Sequence, residues 1–130
     1  MYPTDYKYSK DHEWLRVDGR TASIGLTDFA QKQLGDIVFV DVMYKAGDLL
    51  QAEDTFGTVE SVKAVSELFL PVTGKFVEFN ALLHEEPEAL NTEPHDTWII
   101  RIEMSDVKEL DGLLNAARYE KYLADDASAG

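Results

Sequence analysis

Turn signals recur along this chain between short β-patterned runs, and that restricts it to a small barrel or sandwich. Asp18-Gly19, Gly47-Asp48 and Pro71-Val72-Thr73-Gly74 are compact turn sequences. Gly supplies backbone conformations other residues avoid, and Pro and Asp favour chain reversal. Glu13–Val17 and Thr21–Leu26 read as a hairpin about Asp18-Gly19. Asp36–Val42 is apolar on both faces and is expected to be a fully buried strand. Phe56–Val62, Ser66–Leu70 and Lys75–Phe79 follow as strands. In Thr97–Met104, Trp98, Ile100, Ile102 and Met104 are expected on one face, with Arg101 and Glu103 on the other.

Helical signals are few. Thr27 is placed to cap a helix over Asp28–Leu34, which Gly35 ends. Asn80–Pro94 reads as an acidic loop broken by Pro87 and Pro94. Ser105 caps a short helix, and Asp106 with Glu109 has capping-box spacing. The leucines about Leu110 and Leu113 read as core packing, and Asn115 starts a last helix to about Leu123. The expected fold is therefore mainly β, with short helices and a helical C-terminus. A single domain over 1–124 and a flexible acidic tail over 125–130 complete it.

Charge and composition remove several functions. The net charge of −13 argues against a nucleic-acid partner, because binding a phosphate backbone needs clustered Lys and Arg. With no cysteine, any sulfur redox chemistry has to come from an attached group. No apolar run is long enough to span a membrane. Residues 1–10 have neither the apolar core of a secretory signal nor an Arg-rich amphipathic stretch, so a bacterial cytoplasm is expected ahead of a mitochondrial matrix. His12, His84 and His95 are dispersed and read as solvated, with no metal spacing. Neither a Gly-x-Ser-x-Gly elbow nor a phosphate-binding glycine loop occurs, so an independent enzyme is not expected.

Lys63 is the residue this leaves prominent. It is the only basic residue between Lys45 and Lys75, among Asp48, Glu53, Asp54, Glu60 and Glu67. Two short strands meet near it, which presents its amine to solvent in one orientation. A modifying enzyme that must find one lysine needs that presentation.

Separate motifs in order then carry a family likeness. They are His12-Glu13-Trp14, Ile24 to Gln31, Leu34 to Val40, Phe56-Gly57-Thr58-Val59-Glu60-Ser61-Val62-Lys63-Ala64, Pro71 to Gly74 and Trp98-Ile99-Ile100. From Tyr8 to Leu123 the chain resembles the H protein of the glycine cleavage system, a lipoyl carrier. The likeness implies a barrel-sandwich hybrid of the lipoyl- and biotinyl-carrier kind. Biotin carriers usually place Met on both sides of the lysine, and 2-oxoacid dehydrogenase lipoyl domains usually place Asp before it. Here Val62 and Ala64 flank it. The chain departs from the family pattern at Val42-Met43, at Ala52 and in the loop before Trp98.

The resemblance implies lipoate in amide linkage on Lys63. It implies recognition by a lipoate ligase or a lipoyl/octanoyl transferase through Glu60 and Gly74, and an arm-shielding cleft approached by Glu13 and Glu67. It further implies a non-catalytic carrier. The pyridoxal-phosphate glycine decarboxylase (P protein) would load it with an aminomethyl group. The tetrahydrofolate-dependent aminomethyltransferase (T protein) would unload it, and dihydrolipoyl dehydrogenase (L protein) would reoxidise its dithiol. A lipoate relay to another pathway, or an unmodified interaction domain, are the alternatives.

Overall fold

The computed structural model describes residues 2–129, with side chains described for residues 2–125. The strands are β1 (Lys7–Tyr8), β2 (Glu13–Asp18), β3 (Thr21–Leu26), β4 (Ile37–Val42), β5 (Leu49–Leu50), β6 (Thr55–Ser61), β7 (Val65–Phe69), β8 (Gly74–Phe79) and β9 (Ile100–Met104). Six of them form one sheet in the order β1-β2-β3-β9-β8-β5, and three form a second in the order β4-β6-β7. All pairings are antiparallel. The sheets face each other as a sandwich with no closed barrel. Their inner faces share one core, with Leu15, Ile24, Phe76, Ile100 and Ile102 from the larger sheet against Val40, Phe56, Val59 and Leu68 from the smaller.

The first helix, α1 (Asp28–Leu34), forms where its caps demand. Thr27 has an extended backbone and its Oγ1 accepts from Ala30 N–H at 3.2 Å. Gly35, at φ 80°, ends it while its N–H donates to the Gln31 carbonyl. The segment expected as a loop holds two four-residue helices, α2 (Leu82–Glu85) and α3 (Ala89–Thr92). A single turn leaves no apolar periodicity to read. Burial of Leu83 and Leu90 holds both in place. A 3₁₀ turn spans Val107–Gly112, and α4 spans Ala116–Ala129. Asn115 Oδ1 accepts from Arg118 N–H at 2.8 Å, as expected of its cap. The expected capping box does not close. Asp106 caps the turn, and Glu109 turns instead to Thr73, accepting from its N–H at 2.8 Å. Helix α4 runs to Ala129, beyond the expected Leu123 boundary and through the segment expected as a flexible tail over 125–130, of which only Gly130 lies outside the described backbone.

Two strand expectations need correction. β4 is not buried on both faces: Val38 and Phe39 are 51% and 48% exposed. It is an edge strand, and its register skips between Ile37 and Phe39, so Val38 is an extra residue of a bulge. In the last strand the alternation holds for Ile100, Ile102 and Met104 but breaks before them. Ile99 is also buried, and Trp98 lies only part-buried against Arg101, whose guanidinium stands 3.9 Å from the ring.

A second core cluster lies outside the sandwich, where Trp14 and Tyr6 join Tyr8, Ala116 and Tyr119. It docks α4 on β1. Tyr8 and Leu114 exchange two backbone hydrogen bonds of 2.8 Å, and the Tyr8 and Tyr119 rings stack 4.9 Å apart. Trp14 is wholly buried and its Nε1–H donates to the Pro94 carbonyl at 2.8 Å. No helix among the described residues is long and apolar enough to cross a membrane.

Gly25 marks the tightest joint beside this cluster. A Cβ there would stand 2.6 Å from Trp14 Cε2 and 2.8 Å from the Thr97 carbonyl oxygen. Gly25→Ala is therefore expected to destabilise the chain by about 1–3 kcal/mol through overpacking. Gly112, with nothing within 4 Å of its would-be Cβ, is the control. Gly112→Ala is expected to change stability by less than about 1 kcal/mol. Urea unfolding of both variants checks this, and equal stabilities would refute the packing argument.

Candidate functional site

The hairpin between β6 and β7 positions Lys63. Ser61 N–H donates to the Ala64 carbonyl at 2.8 Å, leaving Val62 and Lys63 as the two-residue tip. Ser61 Oγ accepts from Lys63 N–H at 3.3 Å and from Ala64 N–H at 3.1 Å, so one buried hydroxyl organises the turn. Val62 N–H donates to the Asp36 carbonyl at 3.0 Å, which ties the tip to the start of β4. Lys63 is exposed, and its stem runs beside Gly35: a Cβ there would touch Lys63 Cε at 3.4 Å.

Cross-strand pairing sets what surrounds the lysine. Glu60 pairs with Phe39 on one side and Val65 on the other, so all three share the outer face. Phe39, Val62 and Val65 are 48%, 70% and 66% exposed. An exposed glutamate thus sits within an apolar rim next to the lysine.

A cleft of ≈ 270 Å³ opens between this hairpin, α1 and the turn before β2. Phe29, Ala30, Gln33 and Leu34 of α1 form one wall, Val59, Ser66, Glu67 and Leu68 of the hairpin strands another, and Asp11, His12 and Glu13 a third. Leu34 adjoins Gly35, under the lysine stem. The cleft is mixed in character, apolar along α1 and acidic at Asp11, Glu13 and Glu67.

Glu13 is the unusual member. Only 2% of it is exposed. Its Oε2 accepts from Phe69 N–H at 2.9 Å and its Oε1 accepts from Ser9 Oγ–H at 3.1 Å. These donors favour the anion, but burial outweighs them and Asp11 adds repulsion, so the carboxyl is pushed up to about 8. Phe69 N–H belongs to the free edge of β7, so Glu13 also caps a backbone donor that would otherwise be unpaired.

Of the residues singled out in the sequence, Lys63, Glu60, Glu67 and Glu13 come together at the hairpin and its cleft. Gly74 does not. It is buried in the other sheet, between Leu50 and Met104. A Cβ on it would collide with the Glu103 carbonyl, which accounts for a glycine there. Two histidines expected to be solvated are not. His12 Nδ1 lies 2.8 Å from the Tyr119 hydroxyl and its ring lies 4.5 Å from Phe29. His95 Nε2 accepts from Asp28 N–H at 3.1 Å, and burial pulls its imidazole below the ordinary range. Phe29 and Tyr119 were legible in the sequence only as helical residues, because nothing local marks a cleft wall.

The hairpin thus offers one exposed amine on a fixed tip, with a cleft of mixed character between its strands and α1. Among the described residues no group of acidic or histidine side chains is arranged to hold a metal. The family model described as Glycine cleavage H-protein matches residues 6–126. A glycine cleavage system H protein of Carboxydothermus hydrogenoformans is 50% identical over 127 residues, covering 97% of each chain. That of Acidobacterium capsulatum is 46% identical over 125 residues, covering 96% of each. The crystal structure of such a protein from Mycobacterium marinum superposes with a TM-score of 0.84 at 32% identity, covering 95% of this chain and 99% of that one.

The Glu13 shift carries a sign. With its pKa raised from 4.5 to about 8 in the folded chain, the folded state holds a proton that the unfolded state releases across that interval. Stability from this group is complete below about pH 4.5 and is lost as pH rises towards 8. Thermal unfolding at pH 5 and pH 8 is expected to show a fall that Glu13→Gln flattens. A Gln variant with the same slope as the parent would exclude Glu13 as the source.

Proposed function

The chain belongs to the glycine cleavage H-protein family, and from that premise we propose that Lys63 is the residue that bears lipoate. The family role is that of a non-catalytic lipoyl carrier in glycine cleavage, and it is the role of this chain. The observation that supports Lys63 is the hairpin: an exposed lysine on a tip whose backbone Ser61 fixes. An acyl amide there removes the charge and extends the stem to roughly 12–14 Å from the backbone. The attachment point is rigid and the arm is mobile, so cargo meets partner sites at high local concentration.

The residues present suit such a group. When attached, lipoate supplies a disulfide that takes up a one-carbon amine unit with two electrons. The chain's own residues do the rest. Phe29, Leu34 and Val59 exclude water along the cleft. Glu13 and Glu67 line the cleft, where their carboxylates would make a charge-assisted contact with a protonated amine on the arm. Burial pushes the Glu13 carboxyl up to about 8, and a cation beside it would favour the carboxylate form.

Glu60, exposed beside the lysine, is the residue we assign to recognition by the lipoate ligase or lipoyl/octanoyl transferase. Gly74 serves that recognition only through the shape of the fold, since it is buried in the opposite sheet. The apolar rim of Phe39, Val62 and Val65 is the surface against which partners of the system dock: the decarboxylase, the aminomethyltransferase and dihydrolipoyl dehydrogenase. The relatives described above are bacterial, and a bacterial cytoplasm is the compartment we assign.

Incubation with a lipoate ligase, ATP and lipoate, followed by intact mass and peptide mapping, tests this. One lipoyl addition at Lys63 is expected, with none in Lys63→Arg. Glu60→Gln is expected to slow the addition on the order of tenfold, the loss of one favourable polar contact in the encounter. Addition scattered over several lysines would sink the assignment.

A further inference from the structure

Two of the cleft's three walls are joined by a hydrogen-bonded chain that runs through the C-terminal helix. The Tyr119 hydroxyl lies 2.7 Å from Thr27 Oγ1 and 2.8 Å from His12 Nδ1. Thr27 is the N-cap of α1, the wall that carries Phe29 and Leu34. His12 belongs to the turn that carries Asp11 and Glu13. The same two segments meet again at the backbone, where Thr27 N–H donates to the His12 carbonyl at 3.1 Å. His12 has φ 67°, a left-handed conformation that His, Asn and Asp adopt more readily than other non-glycine residues. That backbone turns its ring between Phe29 and Tyr119, at 4.5 Å and 5.8 Å. Tyr119 is wholly buried and stacked on Tyr8, so its hydroxyl cannot swing to another partner. Whichever ring nitrogen of His12 bears the proton, the chain can be satisfied. Tyr119 donates to one neighbour and accepts from the other, in either sense.

We propose that Tyr119 is a positioning residue of the carrier site, holding the Ser9–Glu13 turn and α1 at the spacing that shields the cargo. This rests on the reading of the cleft as the arm's shelter. It makes α4 part of the site, although no α4 residue with a described side chain lines the cleft. The Tyr119 phenol, which burial pushes up, stays neutral and able to donate.

Tyr119→Phe is the test, because it keeps the ring and its stacking and removes only the hydroxyl. His12→Asn, which tolerates the left-handed backbone, is the second variant. Two readouts are taken. In the unmodified chain, carbon-13 NMR follows the titration of Glu13. The groups bearing on it are Ser9 Oγ, Phe69 N–H, Asp11, His12 and, across the cleft, Glu67. Loosening of the turn hydrates Glu13, and both variants are expected to move its midpoint from about 8 back towards 4.5. In protein lipoylated and loaded to equal extent, spontaneous loss of the amine unit to water is timed. Both variants are expected to speed it about three- to tenfold, the range that one lost hydrogen bond allows. Added to Glu13→Gln, Tyr119→Phe is expected to give no further acceleration. A Glu13 midpoint and a loss rate both unchanged in Tyr119→Phe would overturn the proposal. If Glu13→Gln leaves the loss rate unchanged, the shelter reading fails by itself, and the NMR titration still decides whether Tyr119 holds the turn.

Discussion

Ser61 N–H donates to the Ala64 carbonyl at 2.8 Å, and this bond fixes the register of β6 on β7. Side chains along a strand alternate, so a slip of one residue would exchange the two faces of the hairpin. Val59 and Leu68 would leave the core, and Glu60 and Glu67 would enter it. The lysine would no longer sit beside an exposed glutamate. Register is held from the other side as well, where Val62 N–H reaches the Asp36 carbonyl and β4 pairs with β6. The bulge at Val38 is the adjustment that lets Ile37 meet Ser61 while Phe39 meets Glu60. The setting of Lys63 is therefore a property of three strands, not of a loop.

The cleft follows from a different constraint, the need to satisfy polar groups where two sheets part. Beside β7 the sandwich is open, and Phe69 N–H has no strand partner there. Glu13 supplies the acceptor, at the cost of burying a carboxyl that water would otherwise solvate. Ser9 satisfies its second oxygen, and no buried side-chain polar atom among the described residues is left without a partner. Burial thereby pushes the Glu13 carboxyl up to about 8, because its charged form loses hydration.

Close backbone approach explains several glycines of the two sheets. Gly25 lets Trp14 cross β3, and Gly57 and Gly74 leave no room for a methyl against the carbonyls of Asp41 and Glu103. Gly35 differs. Its φ of 80° ends α1, and the bare backbone it leaves is where the Lys63 stem lies. One residue thus terminates the cleft's helical wall and lies beside the Lys63 stem. The chain's net charge of −13 leaves Lys63 set in an acidic surface, which favours basic partner surfaces at long range.

Much of the frame was legible in the sequence, because turn chemistry and caps are local. Asp18-Gly19, Thr27 with Gly35, and Asn115 act through their own backbone neighbours and stand where their residue types require. The lysine tip between two strands was legible for the same reason. Burial was not, since it depends on what arrives from elsewhere in the chain. β4 looks apolar on both faces, but it ends as an edge strand with Val38 and Phe39 in solvent. Glu13 and His12 look like surface residues until β7 and α4 are laid beside them. Asn80–Pro94 has too few residues per turn to betray its helices, which exist because Leu83 and Leu90 are buried. The sequence by itself determined the strands, the turns and the exposed lysine, through interactions a few residues long. Only the tertiary structure decided the cleft and the burial of the Glu13 carboxyl, because distant segments had to meet before water was excluded.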